Sequence, residues 1–183
     1  MVKFVFHAGV FLLAAAPLTA HGASGPVGGE TAQAAAWSTA PKVVVEQETI
    51  AFDSQGARLQ GTLFFPSRQQ HRPTVIVLHG ASSPSRDLPL YHHLEQMLPP
   101  LGIAVFVFDR RGSGASTGGG STAYDFHVLA DDGVAAGKAL AGDAHVDAAR
   151  IGYWGISQGG WLALLAASKD PRGLSSRSRF RRR

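Results

Sequence analysis

A chain of 183 residues with no cysteine has no disulfides and no thiolate ligands for zinc, and its length suits one domain of ordinary size. Its formal charge of +4 is unevenly placed. Six of the 17 basic residues, Arg172, Arg177, Arg179, Arg181, Arg182 and Arg183, lie in the last twelve positions, where there is no acid, and residues 1–171 carry eleven basic against thirteen acidic groups. The body is therefore slightly acidic and has no basic stripe or interleaved aromatic platform, which argues against nucleic acid as a partner.

Met1-Val2-Lys3 puts one positive charge ahead of an apolar run from Phe4 to Pro17, followed by the small residues Thr19, Ala20, Gly22 and Ala23. This is the layout of a secretory signal peptide over residues 1–22, with Ala20 and Gly22 as the small pair before the cut. The alternative, a membrane anchor, needs about 20 apolar residues, more than the run supplies. The expectation is export to the periplasm or the extracellular space, with no stable membrane anchor after cleavage. Residues 23–41, rich in Gly, Ala, Ser and Thr, read as a flexible leader.

Lys42 to Phe52 and Ala57 to Phe65 are rich in Val, Ile, Phe, Thr and Leu. The turn formers Asp53-Ser54-Gln55-Gly56 between them predict an antiparallel hairpin closed by Pro66. Thr74 to Leu78 and Ile103 to Phe108 are short continuous apolar runs, as in strands buried on both faces of a parallel sheet. Between them, Leu90, Tyr91, Leu94, Met97, Leu98 and Leu101 form one stripe at helical spacing, with Pro99 and Pro100 at or beyond the helix end and Gly102 just after it. Thr122 to Leu140 reads as a second helix with Leu129, Ala136 and Leu140 on one side and Asp125, Asp131, Asp132 and Lys138 elsewhere. Gly137 inside it costs roughly 1 kcal/mol relative to alanine. Arg150 to Trp154 is the fifth strand and Gly160 to Ser168 the helix after it. The fold class is α/β: an antiparallel hairpin, then a mostly parallel sheet with flanking helices over residues 42–171.

In such sheets ligands bind outside the carboxyl ends of the strands, and His79, Asp109 and Ser157 all fall there. Gly155-Ile156-Ser157-Gln158-Gly159 sits between a strand and a helix, the context of a serine nucleophile elbow. The sharp turn lifts the hydroxyl clear of the sheet, and Gly155 and Gly159 allow strand and helix to close on one another. The Gln158 N–H would stabilise the oxyanion of an acyl-transfer transition state, joined by a donor from His79-Gly80-Ala81-Ser82, with Ala81 preferred and Ser82 the alternative. His79 is better read as a structural histidine than as the base. In Asp109 to Ser116 and Gly118 to Ala123 the glycines suggest a phosphate or dinucleotide loop. However, no lysine occurs between Lys42 and Lys138, and the G-x-G-x-x-A match begins nine residues beyond Asp109. The second run reads as a flexible approach to the second helix. Adjacent His92 and His93 point to different sides of a helix, so no metal and no cofactor are expected.

These three runs, His79 to Ser82, Phe108 to Ser116 and Gly155 to Trp161, resemble the α/β-hydrolase superfamily. The likeness is to its serine aminopeptidase-like, Xaa-Pro dipeptidyl-peptidase-like and dienelactone-hydrolase-like branches. The resemblance implies Ser157 as nucleophile, Gln158 and Ala81 as oxyanion donors, and a structural loop from Asp109 to Ser116. A small-molecule ester or amide would be the substrate, the ester preferred.

A triad of this order places its acid and histidine after the serine. No histidine follows His145, and the only acid beyond Ser157 is Asp170. The expectation is a chain that is inactive alone, with residues 172–183 a basic disordered tail, for which out-of-frame translation, a genuine tail and a shortened chain are the alternative readings. The alternative function is a non-catalytic exported binding domain on the same fold.

Overall fold

The computed structural model describes residues 43–67, 70–82 and 84–172. The expected signal peptide, the leader and residues 173–183 of the expected tail lie outside the described residues.

Strands β1 (Val45–Ser54) and β2 (Ala57–Pro66) form the hairpin. Its turn is only Gln55 and Gly56, at φ 44° and 77°, the doubly left-handed pairing whose twist matches that of the strands it joins. Three further strands follow: β3 (Arg72–Leu78), β4 (Ala104–Phe108) and β5 (Val146–Gly155). The order across the sheet is β1-β2-β4-β3-β5, antiparallel from β1 through β2 to β4 and parallel among β4, β3 and β5.

Strand periodicity divides the core into two layers. Ile76, Leu78, Phe106 and Phe108 face one side, where α2 (Phe126–Leu140) and α3 (Gln158–Lys169) bring Leu129, Val134, Leu140, Leu162 and Ala166. Val77, Val105 and Val107 face the other, against Tyr91 and Leu94 of α1 (Pro89–Met97). Gly61 of β2 leaves room for the Phe106 ring, since a Cβ there would overlap it. Phe52, Phe106 and Phe108 then cluster with centroids 5.6–6.1 Å apart.

Element ends depart from expectation where polar residues carry structure. The helix expected from Thr122 begins at Phe126, because the Asp125 carboxylate accepts from the N–H groups of His127 (2.8 Å) and Val128 (3.2 Å), a side-chain cap that fixes the start. A 3-10 turn, Gly120–Tyr124, precedes it. The run from Gly118, expected to be a flexible approach, is closely packed: a Cβ on Gly112 would lie 2.8 Å from the Gly119 Cα. Thr117 also exchanges hydrogen bonds with the Arg58 backbone. β3 starts at Arg72 rather than Thr74; Arg72 is 2% exposed, lies over the Phe65 ring at 5.3 Å and donates to the Pro66 carbonyl. Its charge hides a strand residue.

Asp132, read from the sequence on the polar side of its helix, is buried. Arg111 donates to its two carboxylate oxygens at 2.5 and 2.8 Å, and both side chains are at most 2% exposed. Removing one partner of such a pair strands the other charge in the core, at a cost of about 3–5 kcal/mol. Asp131, one residue earlier, pairs with Lys169 at 2.6 Å where both are partly exposed. Its worth is at most about 1 kcal/mol.

Gly137, unfavourable by helix propensity, is explained by the neighbour of its Cα. Arg172 donates to the Gly137 carbonyl at 2.5 Å and to both Asp170 oxygens at 2.7 and 2.9 Å. A Cβ on Gly137 would overlap that guanidinium. The Tyr153 hydroxyl donates to Asp170 at 2.6 Å. Arg172 is thus bonded into the folded body, at the position where the sequence reading began the tail. Burial opposes ionisation of Asp170, but the bonds from Arg172 and Tyr153 outweigh it and hold its carboxyl down at about 2, against 3.8 ordinarily.

Two outcomes follow for urea unfolding. Asp132→Asn lowers stability by about 3 kcal/mol, and Asp131→Asn by less than about 1 kcal/mol. The depressed Asp170 carboxyl stabilises the fold above its unfolded value near 3.8, and that contribution is lost as pH falls through about 2. Asp170→Asn therefore removes on the order of 2 kcal/mol at neutral pH and flattens the pH dependence between pH 4 and 2.

Candidate active site

The carboxyl ends of β3, β4 and β5 run into His79, Asp109 and Ser157 respectively. Ser157 has φ 55° and ψ −124°, a left-handed backbone that costs a non-glycine residue about 1–3 kcal/mol and persists only where its surroundings impose it. Those surroundings are two glycines. A Cβ on Gly155 would overlap the Gly159 carbonyl, and a Cβ on Gly159 would overlap the Leu78 carbonyl at the end of β3. The first turn of α3 is therefore pressed against both β5 and β3. The bonds Gly159 N–H to Ile156 O (2.9 Å) and Gly160 N–H to Ser157 O (3.0 Å) close the turn.

Ser157 is exposed. Its hydroxyl does not cap the helix that it precedes. Gln158 is the first residue of α3, so its N–H has no carbonyl partner within the helix, and it lies at the positive end of the helix dipole. The Gly159 contact also brings Gln158 beside the end of β3, from which Ala81 and Ser82 follow in an exposed turn.

His79 is 3% exposed and engaged at both ring nitrogens. Its Nε2–H donates to the Phe108 carbonyl, and its Nδ1 is hydrogen-bonded to the Tyr91 hydroxyl at 2.7 Å. The ring ties β3 to β4 and to α1 in the manner of a structural histidine. Asp109, 1% exposed, accepts from Arg86 N–H and Ala115 N–H, each at 2.9 Å. Gly114 is required there because a Cβ would overlap the carboxylate. Asp109 thus pins the segment after β3 to the loop after β4.

Among the described residues, no imidazole or carboxylate is hydrogen-bonded to the Ser157 hydroxyl. Asp170 caps the far end of α3 and is occupied by Tyr153 and Arg172. His93 accepts no catalytic position either: its Nδ1 bonds with Leu90 O at 2.8 Å and its ring meets Trp154 at 5.9 Å.

Sequence reasoning passed over Arg110. It is 6% exposed and donates to the Gln158 side-chain oxygen at 3.0 Å and to Ala123 O at 2.6 Å. An arginine in a charged glycine loop announces no partner, and Gln158 is 48 positions away. At the opposite end of the sheet, Glu48, Asp143 and His145 bring ligand-type atoms within 4.8 Å of one another. Arg72 Nη1 already lies 3.5 Å from His145 Nδ1 and the ring stacks on Phe65, so the cluster reads as charge pairing around a buried arginine.

Comparison with known proteins agrees with this architecture. An uncharacterized protein of Mycobacterium tuberculosis is 34% identical over 135 residues, covering 73% of this chain and 46% of its own length. The chain thus spans about half the length of the curated relatives that it matches. The crystal structure of the α/β hydrolase GrgF from a Penicillium species superposes with a TM-score of 0.62 at 29% identity, over 69% of this chain and 43% of that one. A dienelactone hydrolase from Anabaena variabilis shares the fold, with a TM-score of 0.57 at 24% identity over 70% and 60% of the two chains. The family model for serine aminopeptidase, S33, matches residues 69–177, which hold β3 to β5, the glycine turn and Arg172. The chain belongs to that family, within the α/β-hydrolase superfamily.

Proposed function

We propose that Ser157 is the nucleophile of a hydrolase acting on small ester or amide substrates through an acyl-enzyme, with carboxyl esters preferred. The observation that carries this reading is the strained backbone of Ser157, held by two glycines at the carboxyl end of the sheet. A serine with no chemical task has no reason to occupy a conformation that glycine would adopt without penalty.

In the reaction the Ser157 oxygen attacks the substrate carbonyl carbon and its proton passes to a base. Negative charge then grows on the carbonyl oxygen, and the Gln158 and Ala81 N–H groups stabilise it. Collapse expels the alcohol or amine, which takes the proton back from the base, and water releases the acid from Ser157. Among the described residues no imidazole or carboxylate is hydrogen-bonded to the Ser157 hydroxyl, so the test supplies the proton acceptor from outside. The signal-like start supports export as its destination.

An external base tests this reading. With para-nitrophenyl acetate, the 183-residue polypeptide accumulates one acetyl group on Ser157 when imidazole is supplied, as read by intact mass and peptide mapping, and Ser157→Ala accumulates none. Incorporation equal in Ser157→Ala contradicts the nucleophile assignment.

A further inference from the structure

The two oxyanion donors sit on different segments. Ala81 is in an exposed turn after β3, and Gln158 opens α3 with its N–H unpaired. Their separation sets whether one carbonyl oxygen can reach both, and a displacement of 1 Å in such a site costs about a hundredfold in rate.

Arg110 is bonded to both segments. Its own N–H donates to Pro84 O at 2.8 Å, in the segment that continues from Ala81. Its Nη1 donates to the Gln158 side-chain oxygen at 3.0 Å. Its Nη2 donates to Ala123 O at 2.6 Å, and the guanidinium lies 5.9 Å from the Tyr124 ring centroid. The neighbouring Arg111 shows what a purely structural buried arginine does, since it pairs with the Asp132 carboxylate through two hydrogen bonds. Arg110, equally buried, has no carboxylate within ion-pair distance among the described residues. Its charge is directed to neutral oxygens, which leaves a positive potential beside the residue whose N–H faces the developing oxyanion.

We propose that Arg110 is the positioning residue of this site: its backbone N–H holds the segment that continues from Ala81, while its buried guanidinium holds Gln158 and biases the site toward negative charge. The proposal rests on the assignment of Ser157 as nucleophile. Arginine is needed because its planar fork serves Gln158 and Ala123 together, whereas a lysine offers one compact donor group to the same space.

The test is the rate of Ser157 acetylation by para-nitrophenyl acetate with imidazole as base, measured against ester concentration. Arg110→Met lowers the maximal rate about 10- to 100-fold with the half-saturating ester concentration unchanged, and Arg110→Lys recovers part of the loss. Gln158→Met keeps the backbone N–H and the Pro84 and Ala123 bonds of Arg110, so it preserves the fold even if Arg110→Met does not. It slows acetylation to the same extent, and the double variant is no slower than either single one. Wild-type rates in Gln158→Met, or losses that multiply in the double variant, overturn the proposal. If incorporation depends on Ser157 but not on Gln158 or Arg110, the positioning role fails and the nucleophile stands. If incorporation does not depend on Ser157, both fail.

Discussion

The close approach of the first turn of α3 to the end of β3 is the constraint on which the site depends. A helix normally stands off a sheet by the length of its side chains, but here the Gly159 Cα meets the Leu78 carbonyl with no room for a methyl group. Gly155 permits the same approach from the β5 side. With both gaps closed, the chain between them has too little space for an ordinary turn. Ser157 takes up the strain at φ 55°, and its hydroxyl is carried outward instead of folding back to cap the helix. The fold thus holds one serine in an unfavourable backbone by packing glycine against carbonyl.

The loop after β4 completes this arrangement through three consecutive charged residues with three different tasks. Asp109 accepts from backbone N–H groups on either side and joins the segments that follow β3 and β4. Arg110 reaches across to α3 through Gln158. Arg111 turns inward to Asp132 and anchors α2 to the same loop. All three side chains are buried, and each is satisfied, as buried polar groups must be. His79 adds the tie between β3, β4 and α1. The carboxyl edge of the sheet is consequently a connected polar framework, with the strained Ser157 at its exposed tip.

Much of this was legible in the sequence because the signals are local. Alternation in the hairpin, continuous apolar runs for β3 and β4, and the glycine spacing around Ser157 each reflect a constraint acting within a few residues. What could not be read depends on partners far apart in the chain. Asp132 was placed off the apolar side of its helix because its burial is decided by Arg111, and Arg72 fell outside the expected strand because its cover is Phe65 and Pro66. Gly137 looked like a defect until Arg172 and Tyr153 filled the space above it. The helix start at Phe126 was legible in principle, since Asp125 is a capping type, but helical periodicity continued plausibly through it. Burial of charge and the far side of a close contact are tertiary properties, and one-dimensional patterns do not carry them.

The account makes backbone strain at Ser157 its central claim, and the sign of one stability difference measures it. At an ordinary position glycine is less stable than alanine by about 0.5–1 kcal/mol, because it loses more freedom on folding. At a residue forced to φ 55° the order reverses. Urea unfolding of Ser157→Gly and Ser157→Ala side by side is expected to show the glycine variant more stable by about 1 kcal/mol. A glycine variant less stable than the alanine variant would contradict the account, because Ser157 would then be an unstrained turn residue with no stored conformational energy to explain.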